Sequence, residues 1–151
     1  MSKREEQAVQ NFLDGCNCAQ SVLLAYADVL GLTQEQAAMV SVGFGGGMGR
    51  LRLHCGAFSA AVMLAGALEG ENGAEKEHRP QTYARVQEIH RRFVERCGTI
   101  SCAELLGRAG VPEDPTPEQR TPEYYARRPC AGVIRQAAEM IDEMLEESVD
   151  A

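Results

Sequence analysis

Four of the chain's six cysteines stand where helices are expected to begin. Cys18 opens the run Cys-Ala-Gln after Asn17, and Cys55 opens Cys-Gly-Ala-Phe-Ser-Ala after a glycine-rich stretch. Cys102 follows Ser101, and Cys130 follows Pro129. The first turn of a helix presents unpaired N–H groups and the positive end of the dipole. Both favour thiolate over thiol, and thiolate is the nucleophilic and metal-binding form. The residue types therefore point to redox or metal–thiolate chemistry. The nearest spacings are Cys16-x-Cys18 and Cys97-x4-Cys102. With no Cys-x-x-Cys, neither a thioredoxin-type dithiol nor a zinc ribbon is indicated. A shared site would need four separate segments to converge in the fold. Cys97 continues an apolar stripe and Cys16 precedes a helix cap, so these two read as a core and a loop residue.

The elements that must deliver the four thiols are all helical by pattern. Residues 2–13 read as an amphipathic helix ended by Asp14-Gly15. Asn17 and Gln20 form a capping box for a helix carrying Val22, Leu23, Tyr26, Val29 and Leu30, with Gly31 at its end. Thr33 caps a third helix, with Glu35 and Gln36 in its first turn. Five glycines then fall within Gly43–Gly49, which predicts a loop of close backbone approach rather than helix. From His54 or Cys55 to Leu68 the chain is apolar on nearly every face and reads as a central buried helix. Residues 69–80 read as an exposed connector that includes His78. Pro80 then starts a helix striped by Tyr83, Val86, His90, Phe93 and Cys97, which places His90 in the core. Ser101 and Glu104 suggest a capping box around Cys102. Residues 110–122 hold four of the six prolines and read as an irregular crossover, followed by a helical turn over Glu123–Ala126. A last amphipathic helix carries Ile134, Ala137, Ala138, Ile141, Met144 and Leu145. No alternating strand pattern occurs, so the fold class is all-α, a compact bundle around the Cys55–Leu68 helix.

Size and charge narrow the functions. The 151 residues fit one domain and can bury a core without staples. Net charge is −7, which disfavours nucleic acid, because phosphate binding needs clustered Lys and Arg. The acidic run from Glu139 to Asp150 reads as a solvated helix face. The longest apolar stretch, residues 57–68, falls short of the ~20 residues of a membrane helix. The N-terminal residues are charged with no apolar segment behind them, so a cytoplasmic protein is expected, where permanent disulfides are uncommon.

The ordered blocks resemble a known family. Asn17-Cys18-Ala19-Gln20, Gly43-Phe44-Gly45-Gly46-Gly47-Met48-Gly49-Arg50, Cys55-Gly56-Ala57, Cys102-Ala103-Glu104-Leu105-Leu106-Gly107 and Cys130 together resemble the C_GCAxxG_C_C proteins, to which a redox role is ascribed. Ala60 stands where that motif has its second Gly, and Cys16 and Cys97 are additional. The resemblance implies redox activity and selects Cys18, Cys55, Cys102 and Cys130 as the functional set.

Three functions use these parts. In the first, the four cysteines ligate an iron–sulfur cluster or another metal for electron transfer, a group that a purified sample can lose. Gly45, Gly46, Gly47 and Gly49 would supply N–H groups to its sulfurs, and Arg50, Arg52 and His54 positive charge. In the second, the same thiols do metal-free thiol–disulfide chemistry, with Cys18 or Cys55 attacking. In the third, the cysteines are core residues of a helical binding or assembly protein, such as a homodimer. A redox partner protein follows from the first two. Gly-x-Gly-x-x-Gly and a Walker ending are both missing from the glycine loop, so nucleotide binding is not supported.

Overall fold

The structure, a computed structural model, describes residues 2–107 and 114–150. The helices are α1 (Lys3–Leu13), α2 (Cys18–Ala25), α3 (Gln34–Ser41), α4 (Gly45–Met48), α5 (Gly56–Met63), α6 (Ala65–Leu68), α7 (Arg79–Cys97), α8 (Cys102–Leu105), α9 (Pro122–Arg127) and α10 (Cys130–Asp150). Single 3-10 turns cover Ala27–Leu30, Val42–Phe44 and Lys76–His78. No strand occurs among the described residues, only an antiparallel bridge between His54 and Ser101. The fold is all-α, as the periodicity predicts. No helix is long and apolar enough to cross a membrane among the described residues. Residues 110–113 of the expected crossover lie outside the described residues.

Local chemistry explains the starts. Ser2 with Glu5, Asn17 with Gln20 and Thr33 with Gln36 each close a reciprocal capping box, and such a cap contributes about 1 kcal/mol. Ser101 accepts from the Glu104 N–H at 3.2 Å but only half of the expected box forms. Pro80 lies in the first turn of α7 as expected, where its missing N–H costs nothing.

The core forms where α2 and α10 pack on α1 and on α5, with α7 closing against α5 and α10. Phe12, Val22, Leu23, Leu64, Ile89, Phe93, Ile134 and Ile141 are all at most 1 % exposed, and each such side chain contributes about 1.5–3 kcal/mol. Six consecutive residues, Gly56 to Ala61, are buried, so the apolar segment is the central helix. It is interrupted at Leu64, whose N–H bonds to the Ala61 carbonyl three residues back before α6 resumes. The second expected helix also stops early. Tyr26 leaves helical geometry at φ −123°, and its buried hydroxyl sits 2.8 Å from the Ala138 carbonyl and 2.7 Å from Asp142 Oδ1 on α10.

Several surface expectations are corrected. His90 is exposed, because the buried stripe of α7 runs through Ile89 and Phe93, and Tyr83 is 60 % exposed. His78 is half-buried and pairs with Glu69 at 3.0 Å, beside Arg85. The connector is not wholly exposed. Gly73 is buried against Gly66, where a Cβ would meet the Gly66 carbonyl oxygen at 1.8 Å. Glu143 and Glu147 of the acidic run pair with Arg96 and Arg92 of α7.

Candidate functional site

Cys18 is the first residue of α2, Cys102 of α8 and Cys130 of α10, and Cys55 is the N-cap of α5. All four line one cavity of about 60 Å³ at the meeting of these helix starts. Cys16 and Cys97 do not line it.

Three local devices bring the segments together. The first is the contact between Gly56 and Ala19. A Cβ on Gly56 would lie 2.9 Å from the Ala19 nitrogen and 3.2 Å from its Cβ, so only glycine lets α5 start against α2. That contact joins the residues that follow Cys55 and Cys18. The second is the bridge. The Cys55 N–H donates to the Ile100 carbonyl and the Cys102 N–H to the Leu53 carbonyl, both at 2.7 Å. These two bonds set residues 53–55 against 100–102 and place Cys55 beside Cys102. The third is the glycine stretch. Gly46, Gly47, Met48, Gly49 and Arg50 all have φ between +56° and +68°, and Arg52 has +59°. Residues 46–50 therefore turn left-handed. Non-glycine residues pay about 1–2 kcal/mol each for that conformation, which Met48, Arg50 and Arg52 do here. Gly47 is tightest, since a Cβ there would fall 2.6 Å from the Cys102 Cβ and 2.7 Å from the Leu53 nitrogen. The turn is tied to α2 by Asn17, which caps that helix, donates to the Val42 carbonyl at 2.9 Å and packs on Gly45.

The cavity's positive charge comes from three arginines. Arg52 is 5 % exposed and its Nη1 lies 3.7 Å from Cys102 Sγ. Arg120 stands over the Phe12 and Tyr124 rings at 4.7 and 4.8 Å and donates to the Phe12 and Cys16 carbonyls. Arg128 lies 4.7 Å from the Tyr124 centroid and bonds Glu118 at 2.6 Å. Sequence reasoning named Arg52 but missed Arg120 and Arg128. Arg120 sits in irregular chain and carries no pattern. The Arg127-Arg128-Pro129-Cys130 run was a readable signal, two cations beside a cysteine.

The thiols differ in their protonation. Cys130 is lowered to about 7, first by a hydrogen bond from Cys18, against the effect of burial, and then by Arg128, Arg120 and Arg52. Cys18 is pushed well up by that same bond, in which it is the donor, and by burial. Burial pushes Cys55 up to about 12 although the Ala57 and Phe58 N–H groups bond to its sulfur. Helix-start placement therefore does not by itself produce thiolates. Desolvation outweighs it at Cys55, and a thiol donor together with nearby guanidinium groups produces the low value at Cys130. Burial also raises Cys16 and Cys97.

Of the expected glycine-loop contacts, Gly46 and Gly47 line the sulfur cavity. Gly45, Gly49 and Arg50 line an adjoining outer vestibule. His54 does not line the sulfur cavity and stacks edge-on with Phe58 at 6.1 Å. Ala60 is fully buried, so its methyl is accommodated in the core. Four thiols on one cavity are the donor set of an iron–sulfur cluster. Among the described residues, however, no three Cys, His, Asp or Glu side chains are arranged to hold a common metal ion.

One family model matches the chain over residues 16–144, a stretch containing all six cysteines; its description is "Putative redox-active protein (C_GCAxxG_C_C)". No curated protein matches the chain, and no solved structure does.

Proposed function

This chain belongs to the C_GCAxxG_C_C family, and from that premise we propose that it exchanges thiols and disulfides, with Cys130 as the attacking sulfur and Cys18 as the resolving one. The single observation that supports this is that Cys18 and Cys130 line one cavity bordered by Arg52, Arg120 and Arg128, where their interaction lowers one thiol and raises the other. A thiol titrating near ambient pH is the best attacker, because it combines a high thiolate fraction with retained nucleophilicity.

The step balances as follows. The Cys130 thiolate attacks one sulfur of a substrate disulfide, forming a mixed disulfide and expelling the other half as a thiolate. Cys130 then no longer accepts from Cys18. The Cys18 proton passes to the expelled thiolate, and the new Cys18 thiolate attacks Cys130 Sγ. The second substrate half leaves as a thiolate and takes a proton from water. The protein gains a Cys18–Cys130 disulfide and the substrate gains two electrons. A thiol or redox partner protein returns the pair to its reduced form. The assignment moves the attacking role from Cys18 or Cys55, where the sequence reading put it, to Cys130. Cys55 keeps its proton near neutral pH and serves as cavity wall.

The test is equilibration in glutathione buffers, acid quenching, alkylation and peptide mapping. A reversible Cys18–Cys130 link is expected. Absence of any reversible pair, or a pair formed by other cysteines, contradicts the assignment.

The meeting of all four thiols supports a second reading, in which Cys18, Cys55, Cys102 and Cys130 hold an iron–sulfur cluster that supplies one-electron transfer. The interaction between Cys18 and Cys130, which suits a dithiol pair, ranks it second. Anaerobic preparation with iron and sulfide analysis separates the two. Stoichiometric iron and sulfide with visible absorbance would reverse the order.

A further inference from the structure

Among the described residues, eight large apolar side chains stand exposed, and six of them fall within fifteen consecutive positions. They are Met39, Val40, Val42, Met48, Leu51 and Leu53, each between 37 and 69 % exposed. Local bonds fold this stretch into one knuckle. The last turn of α3 runs straight into the 3-10 turn Val42–Phe44. The Gly49 N–H then donates to the Gly43 carbonyl at 3.0 Å, and the Leu51 and Leu53 N–H groups donate to the Met48 and Gly47 carbonyls at 2.9 Å. Exposed apolar residues scattered singly are ordinary, whereas a cluster is not. The six together expose on the order of 500 Å² of apolar surface, at the upper end of what a monomer leaves bare.

Two features set this face apart from chance exposure. Met48 holds its apolar side chain in the open at φ 68°. Glycine or asparagine takes that conformation at lower cost, and neither would add apolar surface. Residues 37–49 also contain no charged side chain, in a chain of net charge −7. Net charge keeps copies of a chain apart, and the repulsion is weakest where a face carries none. A foreign partner is selected by complementary charge, which this stretch lacks. A second copy needs only a face that is complementary to itself about a two-fold axis, and an apolar knuckle is such a face.

We propose that this knuckle is the contact face of a homodimer. Pairing two copies would bury on the order of 1,000 Å², the lower size for a specific interface. Val42 also lines the vestibule that adjoins the sulfur cavity, so the second copy stands at the vestibule's edge. The dimer is independent of the thiol–disulfide reading, and the failure of either leaves the other standing.

The test follows the reduced full chain by sedimentation velocity from about 1 to 200 μM, a range that brackets micromolar affinity. A concentration-dependent passage from monomer to dimer is expected. Met39→Glu and Leu51→Glu each place like charges opposite one another across the two-fold axis, and each should weaken dimerisation at least about ten-fold. Tyr83→Glu adds the same charge at an exposed position on α7, outside the knuckle, and should leave the dimer unchanged. Hydroxyl-radical labelling of the unsubstituted chain gives a readout that needs no variant. Oxidation of Met39 and Met48 should fall between dilute and concentrated protein, while that of Tyr83 stays constant. A monomer throughout the range would overturn the proposal. So would a dimer that both Glu substitutions in the knuckle leave intact, a dimer that Tyr83→Glu weakens as much, or equal labelling of Met39 and Met48 at both concentrations.

Discussion

Replacing Cys18 by Ala should remove the largest influence that holds Cys130 at about 7. Relative to the ordinary thiol value of 9.0, that position corresponds to roughly 3 kcal/mol in favour of the thiolate. A hydrogen bond to a charged acceptor contributes about 1.5–3 kcal/mol, so its loss should carry the Cys130 midpoint up by roughly 1–2 pH units. The arginines remain, so the midpoint should stop at or below the ordinary thiol value. At pH 7 the thiolate fraction would fall from about one half to about 1–10 %. The more basic thiolate is intrinsically more reactive by about 3–8-fold, which leaves a net slowing of only about 2–6-fold at pH 7. The midpoint is thus the better readout than the rate at one pH. The assay is alkylation of Cys130 followed by peptide mass analysis from pH 5.5 to 10. Cys18→Ser keeps a proton donor at the same place and should restore most of the lowering. A midpoint unmoved in Cys18→Ala would refute the reasoning, because it would mean that the arginines alone hold the thiolate.

Three further outcomes are expected. Gly47→Ala should lose about 2–5 kcal/mol of stability by denaturant unfolding, from left-handed backbone plus overpacking, because its methyl would press on Cys102 and Leu53. Gly49→Ala shares the positive φ but faces open space, so it should lose only about 1–2 kcal/mol. Tyr26→Phe deletes the buried hydroxyl between Ala138 and Asp142, and a loss of about 1–3 kcal/mol is expected in the same assay. Cys130 also links stability to pH. Its folded value lies below its unfolded value, so its contribution is fully present above about 9 and is lost as pH falls through about 7. The stability difference between wild type and Cys130→Ser should therefore grow by about 2 kcal/mol from pH 6.5 to 9; a flat difference would contradict the lowered value.

Much of the scaffold was legible because it is written locally. Asn17 with Gln20, Thr33 with Gln36, Pro80 and Gly31 mark helix ends by chemistry confined to one turn, and they sit where expected. The placement of Cys18, Cys55, Cys102 and Cys130 at helix starts was legible for the same reason. What required the fold was anything decided between segments. The break at Tyr26 depends on Asp142 far along the chain, and the division of α5 from α6 at Leu64 falls within a run of apolar residues, where Gly66 is the one small cue. His90 was misplaced because its neighbour Ile89 lies on an overlapping stripe of the same spacing. The protonation of the thiols could not be read either. Helix starts are visible in sequence, but burial at Cys55 and the approach of Cys18 to Cys130 are tertiary facts. The left-handed turn shows both sides. The glycines announced unusual backbone, whereas positive φ at Met48, Arg50 and Arg52 was not announced by residue type.

The account's central claim is an ordered pair of sulfurs, and single-cysteine trapping tests it most directly. Cys18→Ser and Cys130→Ser proteins are incubated with a small disulfide, and covalent adducts are located by peptide mass. The Cys18→Ser protein should accumulate a mixed disulfide at Cys130 that does not resolve, and the Cys130→Ser protein should remain unmodified at Cys18 near neutral pH. Adduct on Cys18 in the absence of Cys130, or rapid resolution of the Cys130 adduct without Cys18, would contradict it.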